Sequence, residues 1–523
     1  MKENAAKSHL PRLLPLRLPR LCIAVPGADA TEMLERAEAL CRTEPFFEFR
    51  LDYLKQPAAA LPKFKRFIDL HSDCVLIATC RRAVNGGRFR GSVAAQVEVL
   101  LKTAAAGFQI IDLEIESAEA LKPAELAKIR SRAALMISFH DFKATRKLDE
   151  TFARMQAIAA DHYKLATTAT SLYDNVVMMK LLEQKSHTHN VVGLCMGELG
   201  IISRVLALRA GSLFTFAAAV PGEETAPGQM TVRTLRDVFR IEQVDAATRV
   251  YGVAGNPVSQ SLSPVMMNAA FRRENLNCIY LPLQAKHIQD LLKCVQDIPI
   301  SGFSVTMPYK EEIVPHLHNS DPWTQKTGAC NTVVRAQDGR LYGFNTDVAG
   351  VVVPLEQRLA LNGAKVLVIG AGGAARAAVF GIRERGADVY IINRSPATGQ
   401  KLARQARVKY LKRADLKKHK FDVIINATPV GMDSKQSPLS EKEIQARYVF
   451  DMVYTAKETP FAKAARAAGA QIIPGTEMFV YQGARQFEIW TGKPAPALEM
   501  LNVVNAALAM REAANNANGR NQR

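Results

Sequence analysis

The sequence predicts an α/β protein in two parts, an N-terminal (β/α)8 barrel and a second unit that contains a dinucleotide-binding lobe. Eight apolar, strand-like runs alternate with helical runs across residues 20–243, which is typical of a (β/α)8 barrel. Further along, the apolar run Lys365–Ile369 leads into a glycine-rich turn and a helical run at Ala374–Arg385, as in dinucleotide-binding folds. A chain of 523 residues is also too long for one core.

Composition narrows the class of protein. The chain is 48% hydrophobic without an uncharged apolar run of membrane-spanning length, and its eight cysteines form no CxxC pair, so we expect a cytoplasmic globular protein with reduced thiols. The formal net charge of +18 admits a nucleic-acid partner. Anionic small substrates explain that charge as well, and the densest basic run, Arg404–Lys420, has no aromatic residue besides Tyr410 on which bases could stack. Neither nucleic acid nor a membrane is therefore expected as a partner. Residues 1–20 read as a basic arm and 513–523 as a polar tail.

The barrel strands are taken from the apolar runs. The eight expected strands are Arg20–Val25, Phe46–Asp52, Cys74–Arg81, Phe108–Ile115, Ala134–Asp141, His162–Ala169, Asn190–Met196 and Leu213–Ala219. Functional side chains of such barrels lie at the carboxyl ends of the strands. We therefore expect the active site of residues 21–243 at that end of the barrel.

Charged residues inside two of these strands mark a candidate site. Alternation in the second strand places Glu48, Arg50 and Asp52 on one face. Such groups are costly inside a barrel unless they pair with each other or bind a polar ligand, and a structural ion-pair network is the alternative. Ser138 and His140 share a face of the fifth strand.

Lys164 lies inside the sixth strand. A lysine that is buried close to other cations gives up its proton more readily, so its amine can attack a carbonyl carbon. A structural lysine paired with Glu48 is the alternative. Arg204 and the loop Thr225–Gln229 follow the last two strands, and an arginine beside a polar loop suits a carboxylate.

Together these residues resemble type I 3-dehydroquinate dehydratases over essentially the whole first half. The shared motifs are Glu-x-Arg-x-Asp at 48–52, Phe-His-Asp at 139–141, Lys164, Gly-x-x-Ser-Arg ending at Arg204, and Ala-Pro-Gly-Gln at 226–229. The resemblance implies that Lys164 forms a Schiff base with the substrate ketone and that His140 moves protons. It also implies that Arg204, Thr225 and Gln229 hold the carboxylate, and that Glu48, Arg50 and Arg81 hold hydroxyl groups.

Two positions depart from that family pattern. Asn85 stands where family members commonly have a glutamate that orients the histidine, and Thr225 stands where they commonly have serine. The threonine keeps the hydroxyl, whereas Asn85 removes a charge. Another Schiff-base lyase, of the aldolase type, and a barrel that serves only as a scaffold are therefore the alternatives for this half.

Four polar clusters follow in residues 250–350, each of which alone would be a capped turn. They are Ser261-Leu-Ser263-Pro264, Phe303–Lys310, Gly328–Thr332 and Gly343–Asp347.

The strand that follows the glycine-rich turn ends in Asn393 and Arg394. An NAD site has an acidic residue there, whereas an arginine suits the 2′-phosphate of NADP. The expected cofactor is therefore NADP.

The order of these clusters resembles shikimate dehydrogenases, as do Asn426–Gly431, Asp451–Tyr454 and Gly475–Gln482. The resemblance implies a substrate lobe at 250–350, joined by C-terminal helices at 478–512, and an NADP lobe at 355–475. Lys310 and Asp347 would supply and orient a proton. The implied substrate-binding residues are Ser261, Ser263, Thr306, Asn331, Tyr454 and Gln482. The implied cofactor-binding residues are Gly370, Ala371, Gly372, Gly373, Ala374, Asn393, Arg394, Ser395, Thr428 and Gly475.

The two resemblances support each other, because the product of one reaction is the substrate of the next. We expect dehydration of 3-dehydroquinate to 3-dehydroshikimate, followed by NADPH-dependent reduction to shikimate. Ser263 and Thr306 favour shikimate over quinate, whose oxidation is the alternative; Gln260 replaces a histidine common in that family. No His/Cys cluster has metal-ligand spacing, so no metal is expected.

Overall fold

The computed structural model describes residues 14, 17–298, 300–432 and 435–521, with side chains as far as 513. The expected basic arm therefore falls mainly outside the described residues. The chain separates into two compact units, one up to Thr248 together with Ala285–Ile298, the other made of Arg249–Gln284 and the residues after 299. Within the described ranges, no helix is both long and apolar enough to cross a bilayer.

The first unit is a barrel of eight parallel strands in the order β7-β6-β5-β4-β3-β2-β1-β8. The strands are Leu21–Val25 (β1), Phe46–Arg50 (β2), Val75–Thr79 (β3), Ile110–Glu114 (β4), Ala134–Asp141 (β5), His162–Thr168 (β6), Val191–Met196 (β7) and Thr215–Ala218 (β8). Just before β8, the Leu213 N–H donates to the Val191 carbonyl at the start of β7, at 3.0 Å. This contact links the two outermost strands, so the barrel is nearly closed.

Helices connect the barrel strands in sequence. They are Ala30–Leu40 (α1), Pro57–Leu70 (α2), Val93–Ala105 (α3), Ile115–Ala118 (α4), Pro123–Arg130 (α5), Leu148–Gln156 (α6), Asp174–Lys185 (α7) and Ile201–Leu206 (α8). A five-residue π-helical turn, Thr234–Val238, follows β8. The predicted (β/α)8 class is confirmed.

The second strand ends two residues earlier than predicted. Leu51–Tyr53 form a 3₁₀ helix, so Asp52 does not share a strand face with Glu48. Its carboxylate instead accepts from Arg50 at 2.8–2.9 Å and from the Arg88 N–H at 3.0 Å. The hydrogen bonds of the Asp52 carboxylate are thus made with Arg50 and with the backbone of Arg88.

Apolar side chains fill the barrel toward the amino ends of its strands. Phe46, Ile77 and Met136 belong to this cluster and are fully buried. Nearer the carboxyl ends the buried side chains become polar, as at Asp112 and Lys164. The packing thus leaves the carboxyl end of the barrel for chemistry.

The second unit begins with a mixed six-stranded sheet in the order β10-β9-β11-β13-β14-β12. Its strands are Arg249–Gly255 (β9), Cys278–Gln284 (β10), Ile300–Val305 (β11), Asn319–Ser320 (β12), Thr332–Arg335 (β13) and Leu341–Phe344 (β14). Ser263–Arg273 (α9) and Pro322–Thr327 (α11) lie between these strands, and Asp347–Glu356 (α12) follows β14. Ile288–Asp297 (α10) comes between β10 and β11 in the sequence but belongs to the first unit.

A second, all-parallel sheet has the order β17-β16-β15-β18-β19-β20. Its strands are Lys365–Ile369 (β15), Asp388–Ile392 (β16), Lys409–Tyr410 (β17), Phe421–Asn426 (β18), Ala446–Asp451 (β19) and Gln471–Pro474 (β20). Helices Gly373–Arg383 (α13), Pro396–Ala406 (α14) and Pro460–Ala467 (α15) connect them. The strand order reverses between β15 and β18, where parallel sheets of this kind bind their ligands.

Two C-terminal helices, Gly475–Thr491 (α16) and Ala497–Asn521 (α17), complete the second unit. Phe487, Trp490 and Met500 pack with Tyr251 of the mixed sheet, and the Trp490 indole donates to the Val333 carbonyl at 3.0 Å. The helices therefore cover the mixed sheet. α17 continues to Asn521, so the segment expected to be a polar tail has helical backbone that far.

Candidate active sites

A cavity opens among the carboxyl ends of the barrel strands. All eight barrel residues to which the family resemblance assigns a site role line it: Glu48, Arg50, Arg81, His140, Lys164, Arg204, Thr225 and Gln229. Residues from five strands thus converge on one pocket, together with residues from the segment after β3, from α8 and from the last loop.

Lys164 lies on the floor of this pocket and is 5% exposed. Its Nζ donates to Glu48 Oε1 at 3.0 Å and to Asp112 Oδ2 at 3.1 Å, and lies 4.0 Å from the centre of the Phe216 ring. The sequence led us to expect cations around this lysine. Its immediate partners are instead two carboxylates, because a buried ammonium group requires opposite charge.

Asp112 is a site residue that the sequence reasoning missed. Arg81 holds both of its carboxylate oxygens, at 2.9 and 3.0 Å, and Ser138 Oγ donates at 2.6 Å. Burial alone would raise the pKa of Asp112, but Arg81 and Lys164 outweigh burial and lower this pKa well below the ordinary value. Asp112 and Glu114 alternate along β4 as Glu48 and Arg50 do along β2, and that pattern could have revealed it.

His140 stands beside the same cluster at the end of β5. Its Nδ1 is 3.0 Å from Arg81 Nη1. Its ring stacks on the Phe142 ring, with the two ring centres 6.2 Å apart. Burial, followed by the charges of Arg81 and Lys164, lowers the pKa of His140 well below the ordinary value. The imidazole is therefore neutral near pH 7, which is the state that takes up a proton.

Arg204 is a buried cation without a carboxylate partner in the described part of the chain. It is 1% exposed, its Nη2 donates to the Pro227 carbonyl at 2.9 Å, and its Nε has no hydrogen-bond partner among those residues. Burial lowers the pKa of Arg204 to about 10. An unpaired buried cation on a pocket wall favours an anionic ligand, which would supply the missing charge and hydrogen bonds.

Gln229 lies in the same wall and is oriented by Thr225. The Thr225 N–H and hydroxyl both donate to Gln229 Oε1, at 2.7 and 3.2 Å. The amide oxygen is thus occupied, which leaves the amide nitrogen as a donor for a ligand. The wall presents an arginine and an amide together.

Asn85, the family departure in the loop after β3, contacts an acidic side chain. Asn85 Nδ2 donates to Glu116 Oε2 at 3.0 Å, and burial raises the pKa of Glu116. Glu116 belongs to α4, so an acidic group from α4 lies next to position 85.

The second unit brings four of its predicted residues together. Lys310 Nζ donates to Asp347 Oδ2 at 2.5 Å, and Asn331 Nδ2 donates to Asp347 Oδ1 at 2.7 Å and to Gln482 Oε1 at 3.3 Å. Asp347 is the first residue of α12 and is 3% exposed. A lysine–carboxylate pair is thus fixed in place by two amides.

A buried hydrogen-bond chain behind this pair was not anticipated from the sequence. Tyr280 Oη and Ser304 Oγ lie 2.5 Å apart, Ser304 Oγ donates to Gln486 Oε1 at 2.8 Å, and Gln486 Nε2 donates to the Asn331 carbonyl at 3.1 Å. Gln486 lies one helical turn after Gln482 in α16, so both glutamines face the mixed sheet. This series of hydrogen bonds holds the backbone of Asn331 in place.

The remaining predicted substrate residues lie in separate contacts. The Ser263 N–H donates to Ser261 Oγ at 3.2 Å, the local capping that the sequence left as an alternative. Thr306 follows β11, where its N–H donates to the Ala254 carbonyl at 2.8 Å. The Tyr454 ring packs on Phe479 at 4.9 Å, and burial raises the pKa of Tyr454 to about 12.

The glycine-rich turn after β15 fits a dinucleotide. Gly370 has a φ of +117°, a backbone conformation that is strained for any residue with a side chain. A Cβ on Gly372 or Gly373, by contrast, would meet no atom within 4 Å. Packing of the described residues therefore does not require those two glycines. α13 begins at Gly373 without a side-chain cap, so its first N–H groups face open space, with Ala371 and Ala374 on either side. Room and donors for a pyrophosphate coincide here.

The end of β16 offers a second anion site. Arg394 is exposed, Asn393 Nδ2 donates to the Ser395 carbonyl at 2.9 Å, and α14 begins with Ser395 as its N-cap residue. A flexible arginine beside a helix N-terminus suits a phosphate group.

Two other predicted cofactor residues have packing roles. Thr428 Oγ1 donates to Asn426 Oδ1 at 2.7 Å, which shapes the loop after β18. A Cβ on Gly475 would lie 2.6 Å from the Met452 carbonyl oxygen, so glycine lets α16 start against β19. Among the residues whose positions are given, no group of three or more His, Cys, Asp or Glu side chains could hold a metal ion.

Fold and sites together define a chain with two catalytic α/β units, a barrel built around a buried lysine and a two-lobed dehydrogenase with a dinucleotide crevice. A protein of Arabidopsis thaliana, described as a chloroplastic bifunctional 3-dehydroquinate dehydratase/shikimate dehydrogenase, is 33% identical over 504 residues, which cover 91% of this chain and 83% of that protein. The chain belongs to this family of bifunctional 3-dehydroquinate dehydratase/shikimate dehydrogenases. The predicted pairing of a dehydratase with an NADP-dependent shikimate dehydrogenase is confirmed.

Family sequence models match both halves. Type I 3-dehydroquinase matches residues 21–246, the shikimate dehydrogenase substrate-binding domain 253–333, shikimate / quinate 5-dehydrogenase 355–450, and the shikimate 5′-dehydrogenase C-terminal domain 475–504. The NADP(+) shikimate dehydrogenase of Syntrophobacter fumaroxidans is 38% identical and covers 50% of this chain and 93% of its own. A crystal structure of the Thermus thermophilus shikimate 5-dehydrogenase with NADP(H) and shikimate matches with a TM-score of 0.47 at 32% identity, covering 50% of this chain and 99% of its own.

Proposed function

We propose that residues 21–243 dehydrate 3-dehydroquinate through a Schiff base on Lys164, and that the remainder reduces the product to shikimate through Lys310 and Asp347. One observation carries the barrel assignment most strongly. The buried lysine shares its pocket with Arg204, a buried cation without a carboxylate partner in the described residues. Such a pocket suits a ketone that also bears a carboxylate.

A coupled assay tests the whole proposal. The purified chain is mixed with 3-dehydroquinate and NADPH, and the nicotinamide absorbance is followed together with the identity of the products. NADPH consumption should require 3-dehydroquinate and should match shikimate formation one to one. NADPH oxidation without shikimate formation, or persistence of the added 3-dehydroquinate, would contradict the assignment.

In the barrel, the chemistry begins at Lys164. Its amine attacks the ketone carbon and water leaves, which forms an iminium that acidifies the neighbouring C–H bond. His140 removes that proton, then returns a proton to the departing hydroxyl, so that a second water leaves. Hydrolysis of the iminium releases 3-dehydroshikimate and restores the amine. Glu48 and Asp112 accept hydrogen bonds from the Lys164 ammonium group. Glu48 is placed to receive its proton, whereas Asp112, whose pKa is lowered, stays ionised and orients the amine.

Arg204 and Gln229 would hold the substrate carboxylate, while Glu48, Arg50 and Arg81 would hold its hydroxyl groups. Arg50 and Arg81 are already committed to Asp52 and Asp112. Arg204 is the cation that remains available, so it is the natural partner of the carboxylate.

In the second unit, NADPH supplies the hydride that reduces the ketone. Gly370 to Ala374 would accommodate its pyrophosphate, with Thr428 and Gly475 shaping the neighbouring loops. Lys310 donates a proton to the oxygen that gains negative charge, and Asp347 orients the lysine through the 2.5 Å contact. Ser261, Ser263, Thr306 and Tyr454 would bind the ring acid.

We expect replacement of His140 by alanine to slow dehydration about 10²- to 10⁴-fold, the usual range for a general acid–base group. Dehydration is measured by the appearance of the conjugated product. Replacement of the exposed His187 by alanine is the matched control and should change little. A His140→Ala enzyme with normal turnover would make the histidine structural.

The pH dependence of the same reaction follows from the lowered pKa of His140. The base is neutral above its folded-state pKa, and that pKa is below the ordinary value of about 6.5. The acid limb of kcat/KM should therefore lie below about pH 6.5, with activity retained from there upward. A limb at or above pH 6.5 in the pH–rate profile would show that the imidazole is not held neutral.

Arg394 should decide the choice of cofactor. Replacement by alanine should raise the KM for NADPH about 10- to 100-fold and leave that for NADH nearly unchanged, because a charge-assisted bond to the 2′-phosphate is lost. Replacement of Arg404, an exposed arginine on α14, is the matched control. An unmodified enzyme that prefers NADH would refute the role.

Two further assignments belong to the proposal. We take the substrate lobe as 250–350 with helices 478–512, and the NADP lobe as 355–475. We also assign the chain to the cytoplasm without nucleic-acid or membrane partners, supported by its eight free cysteines and by two anionic substrates and an anionic cofactor that account for much basic charge.

A further inference from the structure

A basic side chain on α17 reaches the turn that precedes the two candidate substrate serines. Arg511 Nη1 donates to the Gln260 carbonyl at 2.9 Å. Ser261 is the next residue in the chain, and Ser263 begins α9, against which α17 packs. The guanidinium therefore stands at the edge of the expected ring-acid site.

The same guanidinium acts electrostatically on Tyr454, another residue that the family resemblance assigns to the substrate. Burial raises the pKa of Tyr454 to about 12 and the charge of Arg511 opposes that rise, while burial lowers the pKa of Arg511. Each group thus acts electrostatically on the other. Arg511 thus contacts the residue before Ser261 and influences Tyr454, although the three residues are distant from one another in the sequence.

Arg511 has no acidic partner among the side chains that the structure describes. Its contact with Gln260 uses one of several N–H donors. Lys310, by contrast, is paired with Asp347 at 2.5 Å. Ser261, Ser263 and Tyr454, which the family resemblance assigns to the substrate, carry no charge, and a carboxylate that leaves water is better stabilised when a cation is present.

We propose that Arg511 binds the carboxylate of the ring acid and makes the dehydrogenase selective for a charged substrate. This inference rests on the proposed function of the second unit. Gln260, whose main-chain carbonyl Arg511 contacts, replaces a histidine common in the family. A contact that only fastens α17 to the turn is the competing interpretation.

The test compares shikimate with its methyl ester, which keeps the ring and hydroxyl groups but lacks the charge. NADP⁺ reduction is measured for the full-length chain and for Arg511→Gln and Arg511→Lys. For Arg511→Gln we expect kcat/KM with shikimate to fall about 10- to 100-fold, mainly through KM, because the carboxylate is bound alike throughout the reaction. The ester should lose little, and Arg511→Lys should recover part of the preference.

Arg485→Gln, which removes an exposed arginine paired with Glu488 on α16, is the matched control and should keep the full preference for the acid. An NADP⁺ titration shows whether each variant still binds cofactor and is folded. Equal losses with acid and ester, or an unchanged ratio between them, would overturn the inference. Absence of shikimate oxidation by the unmodified chain would instead overturn the proposed function.

Discussion

Replacement of Lys164 by alanine should abolish dehydration of 3-dehydroquinate while NADPH-dependent reduction of 3-dehydroshikimate continues at nearly the normal rate. The barrel chemistry depends on an amine that attacks the ketone, and the variant has none at that position. Treatment of the unmodified chain with borohydride and 3-dehydroquinate should fix the substrate on the peptide that contains Lys164, as read by mass spectrometry.

The alanine variant also leaves Glu48 and Asp112 without their shared cation, and loss of one partner of a buried pair costs about 3–5 kcal/mol. Lys164→Arg keeps the charge but cannot form a Schiff base, so it separates chemistry from folding. Lys102→Ala removes an exposed lysine paired with Glu98 at 2.6 Å and should behave normally. Normal dehydration by Lys164→Arg, or an adduct on another lysine, would refute the assignment.

Replacement of Lys310 by methionine should lower kcat of the dehydrogenase about 10²- to 10⁴-fold and leave dehydration intact. Methionine retains the length of the side chain but has no proton to donate to the developing alkoxide. Asp347→Asn should have a smaller effect, because the lysine stays while its orienting charge is lost. The measurement is shikimate-dependent NADP⁺ reduction, with the dehydratase rate as an internal reference.

Lys326→Met is the matched control, since Lys326 also pairs with an acidic residue, Glu384, but at an exposed site of the same unit. It should keep full activity. If Lys310→Met and Lys326→Met differ little in kcat, then Lys310 is not the proton donor. A larger effect of Asp347→Asn than of Lys310→Met would reverse the roles of the two residues.

Local patterns were sufficient for most of the fold. The eight barrel strands and the turn after β15 were predicted from short apolar runs and from glycines. These signals are local, because they involve only residues that are close in the sequence. The predicted end of the second strand was wrong, because Asp52 lies in the 3₁₀ helix Leu51–Tyr53. Its carboxylate accepts from the Arg88 N–H, 36 positions away, and a local apolar pattern does not contain such a contact.

The partners of the site residues were harder to predict. Asp112 escaped notice although it joins Arg81 to Lys164, because those contacts connect residues 31 and 52 positions apart. Arg511 is similar, since it meets Gln260 across 251 positions. Such pairs depend on how whole elements pack, whereas the motif residues themselves were recognisable from the sequence. That is why all eight predicted barrel residues line the cavity.

The unpaired state of Arg204 bears on how the barrel responds to its own product. In the proposed role, Arg204 binds a carboxylate that both 3-dehydroquinate and 3-dehydroshikimate retain. A contact that the substrate and the transition state make equally well lowers KM without raising kcat. The same contact retains the product, so accumulated 3-dehydroshikimate should compete with substrate for the barrel. The reductive step on the same polypeptide consumes that competitor and keeps flux moving toward shikimate.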